Sequence, residues 1–258
     1  MPYNNIYTGK SGGFNYYEDD NALDAGHLLP KVHIIIPCWN HWDLTHTLLG
    51  SLYAKERLNI DSVTVVDNGS DEEAVQQGLK WWMKVAKDFK VFSYHIEENV
   101  GFLLASNEGL QFVAGFDEIK PNDIMILLSN DVLIHAPFIP QLVGYLALEP
   151  KSLVGGILYS HDTGWNRFNG RIYPYLEGWL LATTVQGWKE LGYFDKQYSP
   201  SDFEDICLST TALSRGYKLV PLNNPSISHL GGRSYGYDDV RRLRTERNRE
   251  LFRKKWIK

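Results

Sequence analysis

Short apolar runs rich in β-branched residues recur between residue 31 and about residue 229, and longer stretches with helical spacing separate them. The runs at 32–36, 62–66, 91–95, 124–128, 154–158 and 218–221 have the length and bounding residues of strands. Helices are expected between them at 43–55, 71–86, 101–116, 138–148 and 204–215. In 71–86 the apolar positions Ala74, Val75, Leu79, Trp82 and Met83 keep one side of the helix greasy. Strands that are apolar throughout, each followed by a helix, predict an α/β fold with a mostly parallel sheet covered on both faces. The first 30 residues, rich in Tyr, Asn, Gly and Asp, show no sustained period and read as an irregular arm.

Ligands of such sheets gather at the carboxyl ends of the strands. After the first run comes Pro37-Cys38-Trp39-Asn40, after the second Asp67-Asn68-Gly69-Ser70-Asp71, and after the fourth Ser129-Asn130-Asp131. Three strand ends therefore bring polar or acidic residues to one rim. A strand-to-helix turn with Gly69 left-handed and Ser70 as cap accounts for the small residues of the second segment. It does not account for an acid ending a buried strand. A carboxylate there can accept the imide N–H of uracil or thymine. Asp131, carried out of an apolar strand, suits Mg2+ or Mn2+ completed by diphosphate oxygens and water; an Asp-containing turn before Pro137 is the blander alternative.

Further along, Asp202-Phe203-Glu204-Asp205 opens a helix. The helix dipole favours acids in a first turn. Three carboxylates within four positions also repel one another and raise at least one pKa, which is what a general base for an alcohol needs. His229 follows the strand-like segment 226–228, where a structural and a metal-binding role are both open.

Composition narrows the setting. A chain of 258 residues with 43% hydrophobic and 22% charged residues fits one globular domain with extensions. Its two cysteines, Cys38 and Cys207, form no C-x-x-C pair and point to a reduced compartment. No apolar run is long enough to span a bilayer, and no basic-then-apolar leader opens the chain, so a cytoplasmic location is expected. The net charge of −5 excludes a surface that is basic all over. One local exception is the last 18 residues, where Arg241, Arg242, Arg244, Arg247, Arg249, Arg253, Lys254, Lys255 and Lys258 crowd together around Glu246 and Glu250. That tail reads either as a solvated helix with i,i+4 pairs or as a patch for a polyanionic acceptor.

Several motifs stand in a recognisable order. They are Val32 to Asn40, Val65-Val66-Asp67-Asn68-Gly69-Ser70-Asp71, Asn99-Val100-Gly101-Phe102 with Asn107 and Gly109, and Leu127-Leu128-Ser129-Asn130-Asp131-Val132. Gly192-Tyr193-Phe194-Asp195, Phe203-Glu204-Asp205, Gly216-Tyr217-Lys218, and His229 with Ser234 follow. From Lys31 to about Ser234 the chain resembles a family 2 glycosyltransferase of the GT-A fold, the group that includes rhamnosyltransferases.

The resemblance implies a catalytic domain over 31–235, with a nucleotide-binding half at 31–131 and an acceptor half at 132–235. The arm at 1–30 and a basic C-terminal helix at 236–258 lie outside it. It implies an inverting transferase with Asp205 as base. Pro37, Asn40, Asp67, Asn68, Gly69, Asn99, Gly101, Asn107 and Asn130 would form the donor side, and Asp131 and His229 would hold Mn2+ or Mg2+. Glu177, Trp179 and Glu204 would line the acceptor side. The partners implied are a nucleotide-sugar donor, UDP- or dTDP-linked by preference, and a carbohydrate, lipid-linked or nucleic-acid acceptor. Ser129 replaces the first acid of the family's D-x-D element, leaving Asp131 as its sole carboxylate. Competing readings are a non-catalytic nucleotide- or carbohydrate-binding protein on the same fold and a DNA-base glycosyltransferase that uses the basic tail.

Overall fold

The computed structural model describes residues 29–71, 73–231 and 238–257. The first half alternates strand and helix: β1 (Val32–Cys38), α1 (Trp42–Glu56), β2 (Ser62–Asn68), α2 (Glu73–Val85), β3 (Lys90–Ile96), α3 (Phe102–Ala114) and β4 (Ile124–Leu128). The second half is more broken. It runs β5 (Val132–Ile134), α4 (Ile139–Leu148), β6 (Ser152–Gly155), β7 (Leu158–Tyr159), β8 (Arg167–Phe168), β9 (Arg171–Ile172) and β10 (Tyr175–Leu176). Then come β11 (Leu180–Thr184), α5 (Val185–Leu191), α6 (Glu204–Ser214), β12 (Lys218–Pro221), β13 (Ile227–His229) and α7 (Asp239–Trp256).

Seven strands form the main sheet in the order β12-β6-β11-β4-β1-β2-β3. Strands β4, β1, β2 and β3 run parallel, and β11 lies antiparallel between β4 and β6. Every residue of β1, β2 and β4 is buried. Their side chains alternate between two cores. Ile34, Ile36, Val63, Val65 and Ile126 meet Leu48 and Leu52 of α1, Leu79 of α2 and Leu142 of α4. Ile35, Val66, Met125 and Leu127 meet Leu103 and Leu110 of α3, Trp188 of α5 and Leu208 of α6. Both faces being covered is the physical reason these strands read as unbroken apolar runs.

Two sequence expectations change. The strand expected at 154–158 is interrupted, because β6 ends at Gly155 and β7 starts at Leu158. At Gly156, between the two, the Trp179 indole occupies the space a side chain would need, with a ring atom 2.0 Å from an added Cβ, so the position admits only glycine. The antiparallel strand β11 was not expected. Its run Leu180-Leu181-Ala182 carries the apolar signature, but it follows the polar loop at Glu177 and directly enters α5. The basic tail does form a helix, α7, and its Phe252 is fully buried in the second core. The arm at 1–28 and the motif residue Ser234 lie outside the described residues.

Chain order reverses between β1 and β4, which opens a crevice at the carboxyl ends of those two strands. The loops around it are braced by asparagines. Asn40, left-handed at φ 51°, accepts from the Asp71 N–H at 2.9 Å, while its own N–H donates to Ser70 Oγ at 2.8 Å. Asn68 donates to Asn99 Oδ1 at 2.9 Å and accepts from Val100 N–H at 3.0 Å. Gly69 has φ +70°, and a Cβ there would sit 2.5 Å from the backbone of Glu98 and Asn99. Gly69→Ala combines a disfavoured backbone with a backbone clash and should cost about 2 kcal/mol or more. Chemical denaturation checks this, and a midpoint equal to wild type would show the loop to be more yielding than its contacts imply.

Candidate active site

A cavity of about 970 Å3 occupies the crevice. It is lined by Pro37, Cys38 and Trp39 from β1 and its exit, Asn68 from β2, and Ser129, Asn130 and Asp131 after β4. The turn before α6, the Glu177-Gly178-Trp179 loop, His229 and the start of α7 complete the lining. The cavity thus lies where the order of the strands reverses.

A strand ladder sets the first polar pair. β13 runs antiparallel to β5 with His229 opposite Val132, and Leu230 N–H donates to the Asp131 carbonyl at 3.1 Å. His229 Nε2 comes within 3.1 Å of Asp131 Oδ1. The His229 ring stacks on Trp179 at 5.3 Å and 17°. Burial pushes the Asp131 carboxyl upward, but hydrogen bonds from His229 and Ser129 outweigh it and hold the group below its usual range. Asp131 is therefore a carboxylate at neutral pH. A carboxylate oxygen and an imidazole nitrogen about 3 Å apart match the spacing of two neighbouring ligands on one divalent cation. No cluster of three such residues occurs among the described residues, so the remaining ligands of a cation here would come from substrate and water. The pair fits a metal of this kind.

The second feature is the start of α6. Asp202 and Phe203, at φ 73° and 74°, turn the chain so that Glu204 and Asp205 open the helix at the cavity wall. Asp205 accepts from its neighbour Ile206 N–H at 2.7 Å and from the Gly178 N–H. Burial, with the charges of Glu177 and Asp202 beside it, pushes its pKa up to about 7 despite those hydrogen bonds. Glu204 is buried, and burial together with the Asp205 charge raises its carboxyl well above the usual range. Glu177 is tethered: its Oε2 accepts from Trp179 Nε1 at 3.0 Å and from Tyr159 OH at 3.5 Å. Of these acids, Asp205 is the one that combines access to the cavity with a pKa near neutrality.

The residues picked from sequence divide into two groups. Pro37, Asn68, Asn130, Asp131, Glu177, Trp179, Glu204, Asp205 and His229 share the cavity. The other six, Asp67 among them, lie outside its lining. Asn40, Gly69 and Asn99 shape the loops described above. Gly101, at φ +86°, lets the chain pass Pro200, whose Cβ would lie 2.3 Å from an added side chain. Asn107 is buried, and its amide both donates to and accepts from the Phe194 backbone, at 2.8 and 3.0 Å. It is a brace for the 194 turn, away from the cavity lining.

Asp67 is fully buried at the end of β2. It accepts from Ser70 N–H at 3.1 Å, from Gln76, and shares a 3.0 Å contact with His95 Nδ1. It too stands behind the cavity wall in this conformation. Sequence reasoning missed the first two turns of α7, where Asp238, Asp239, Arg241, Arg242 and Thr245 reach the cavity. No periodic or motif signal tied that turn to residues some 40 positions earlier.

The sheet order and its crevice define the GT-A fold of nucleotide-diphospho-sugar transferases. The model of glycosyl transferase family 2 matches residues 33–212, and the chain belongs to that family. Solved structures with a similar fold include a mannosyltransferase, PcManGT, from Pyrobaculum calidifontis in complex with GDP-Man and Mn2+. It has a TM-score of 0.62 and 20% identity over 84% of this chain and 61% of that one. GalNAc-T7 with UDP, GalNAc and Mn2+ superposes with a TM-score of 0.67 at 16% identity, over 89% of this chain and 48% of the other. TarS from S. aureus gives a TM-score of 0.57 at 15% identity, over 76% and 36%. The chain thus spans less than two thirds of the length of each. No curated protein matches the sequence.

The raised pKa of Asp205 makes a prediction about stability. The folded chain holds this proton to about pH 7, whereas an unfolded Asp loses it near pH 3.9, so stability from this group declines as pH rises between those values. Asp205→Asn should raise the melting temperature, more at about pH 8 than at about pH 5, where only part of that loss has set in. A variant less stable than wild type at the higher pH would contradict the buried-carboxylate description.

Proposed function

We propose that this protein is an inverting glycosyltransferase that moves a sugar from a nucleoside-diphosphate donor to a carbohydrate hydroxyl. The observation that carries this reading is the meeting, in one cavity, of the Asp131–His229 pair with an Asp205 carboxyl poised near neutrality. Asp205, when ionised, takes the proton from the acceptor hydroxyl. The hydroxyl oxygen then attacks the anomeric carbon from the face opposite the diphosphate, and the nucleoside diphosphate leaves. Asp131 and His229 would hold Mn2+ or Mg2+, which when bound offsets the charge that builds on the departing diphosphate. The imidazole in this pair favours Mn2+ over Mg2+.

Direct displacement is favoured over a route through a glycosyl-enzyme intermediate. That route needs a second ionised carboxylate as nucleophile. Glu204 is buried with a strongly raised pKa, and Glu177 is tied down by Trp179 and Tyr159.

The wall around Asp205 supports a neutral sugar as acceptor. Trp165, 43% exposed, stands with Tyr175 and Trp179 along the cavity, and aromatic faces suit the apolar faces of sugar rings. Glu177 in the same cavity, with Asp205 when ionised, disfavours phosphate-rich acceptors. A nucleic-acid acceptor finds less support, since Arg241 and Arg244 are engaged with Asp202 inside the protein. For the donor, uridine and thymidine remain the favoured bases on the strength of the acid ending β2. Reading a base with Asp67 would require Gln76 or His95 to give up its place on that carboxylate.

Two outcomes are expected. Asp205→Asn should reduce transfer by about 1000-fold without loss of nucleotide binding, and wild-type transfer should fall away as pH drops through about 7. Substantial transfer by the variant would remove Asp205 from the mechanism. Asp131→Ala should abolish the Mn2+-dependent part of the melting-temperature gain produced by UDP, dTDP or GDP. A gain equal to wild type would rule out the cation site, and the ranking of the three nucleotides identifies the base.

A further inference from the structure

The turn that carries Asp205 is poorly suited to hold itself. Asp202 and Phe203 are consecutive non-glycine residues with positive φ, and each such residue costs about 1 kcal/mol or more. Phe203 provides no side-chain cap for α6. Strain of this kind persists where the surroundings over-determine it, and here the surroundings are α7.

One face of α7 grips the turn at four levels. Arg241 reaches Asp202 Oδ1 through Nε at 3.3 Å and Nη2 at 3.1 Å. Arg244 Nε donates to Asp202 Oδ2 at 2.9 Å, and its Nη2 lies 2.7 Å from the same oxygen. Thr245 adds a bond to that oxygen at 3.3 Å. One turn on, the fully buried Asn248 amide donates to the carbonyls of Tyr198, Ser201 and Asp202, at 3.0, 2.9 and 2.8 Å. A further turn along, Phe252 packs against Phe203 with ring centroids 6.0 Å apart. The spacing 241, 244/245, 248, 252 is that of a single helical stripe. The match to the family model ends at residue 212, well before this helix.

We propose that α7 is a positioning element for the catalytic base: Arg241, Arg244 and Asn248 hold the Asp202–Phe203 turn and thereby set the place and charge environment of Asp205. This rests on the reading of Asp205 as the base. Two forked guanidiniums fix the orientation of a carboxylate in a way single ammonium groups do not. They also offset the charge of Asp202, one of the groups that disfavours ionisation of Asp205. The other titratable groups acting on Asp205 or its neighbour Glu204 are Glu204 itself on α6, Glu177 from the loop before β11, Tyr159 of β7 and Tyr175 of β10, with Arg244 from α7 acting on Glu204. In this arrangement two cations of the tail, Arg241 and Arg244, serve the active site from within.

The test uses the full chain with Arg241→Gln/Arg244→Gln and, separately, Asp202→Asn. Turnover is read as nucleoside-diphosphate release from UDP-, dTDP- and GDP-hexoses in the presence of simple sugar acceptors. Nucleotide binding is read as the melting-temperature gain with UDP, dTDP or GDP and Mn2+. The arginine variant should lose about ten- to a hundredfold in kcat, the scale of a misplaced catalytic group, with its nucleotide gain unchanged. Its acid limb should move up by about half a pH unit or more, and that of Asp202→Asn should move down.

A merely structural role would lower stability without moving the two limbs in opposite directions. Wild-type kcat and an unmoved limb in the arginine variant overturn the proposal. If that variant does not fold, an unmoved limb in Asp202→Asn overturns it instead. Asp205→Asn, run alongside, separates the two levels: activity there removes the base itself, whereas inactivity there with normal arginine variants removes only the role of α7.

Discussion

Desolvation of carboxylates at the carboxyl edge of an apolar sheet is the constraint on which the site depends. Each strand that ends at the crevice is buried along its length, so any acid at its end leaves water unless a partner receives it. Partners are supplied differently at each place. Asp67 is enclosed by Ser70, Gln76 and His95, and Asp131 meets His229. Asp202 has two arginines. Asp205 has two backbone N–H groups and acidic neighbours. Of these four it is the least compensated, and its affinity for a proton follows from that imbalance. The basicity of the proposed base is thus a consequence of where compensation is withheld.

Two kinds of segment build the cavity. From β1, β2 and β4 the polar groups come from strand ends braced by Asn40, Asn68 and Asn99, whose bonds run between loops rather than into solvent. The other acids and aromatics come from irregular segments: the Glu177–Trp179 loop, the 202–205 turn and the start of α7. In the proposed reaction the strand-end residues would take the diphosphate-bearing donor, and the irregular segments would let acceptor specificity vary without disturbing the sheet. Trp179 links the two, since its carbonyl receives the Ser129 N–H at 2.8 Å while its ring supports His229.

The basic C-terminus shows how composition can mislead. Read as a string, nine cations in 18 residues suggest an outward-facing patch. In the fold, Arg241 and Arg244 turn inward to Asp202, Lys255 pairs with Asp195 at 2.7 Å, and Arg242 and Arg253 pair with acids of their own helix. The charge is largely spent on neighbours, Asp195 and Asp202 among them.

The sequence by itself determined the parallel half of the sheet, because strands buried on both faces must be written as continuous apolar runs. It also marked the acids and asparagines that end those strands, and the Glu204–Asp205 pair at a helix start. Tertiary structure alone decided which of them face the cavity. Asn107 and Asp67 share the motif language of Asn68 and Asp131 but are enclosed by Phe194, Gln76 and His95, contacts that bring together distant positions and leave no local trace. The same holds for β11, inserted antiparallel between β4 and β6, and for the grip of α7 on Asp202. Local periodicity encodes which face of an element is buried, and only the closed fold specifies what buries it.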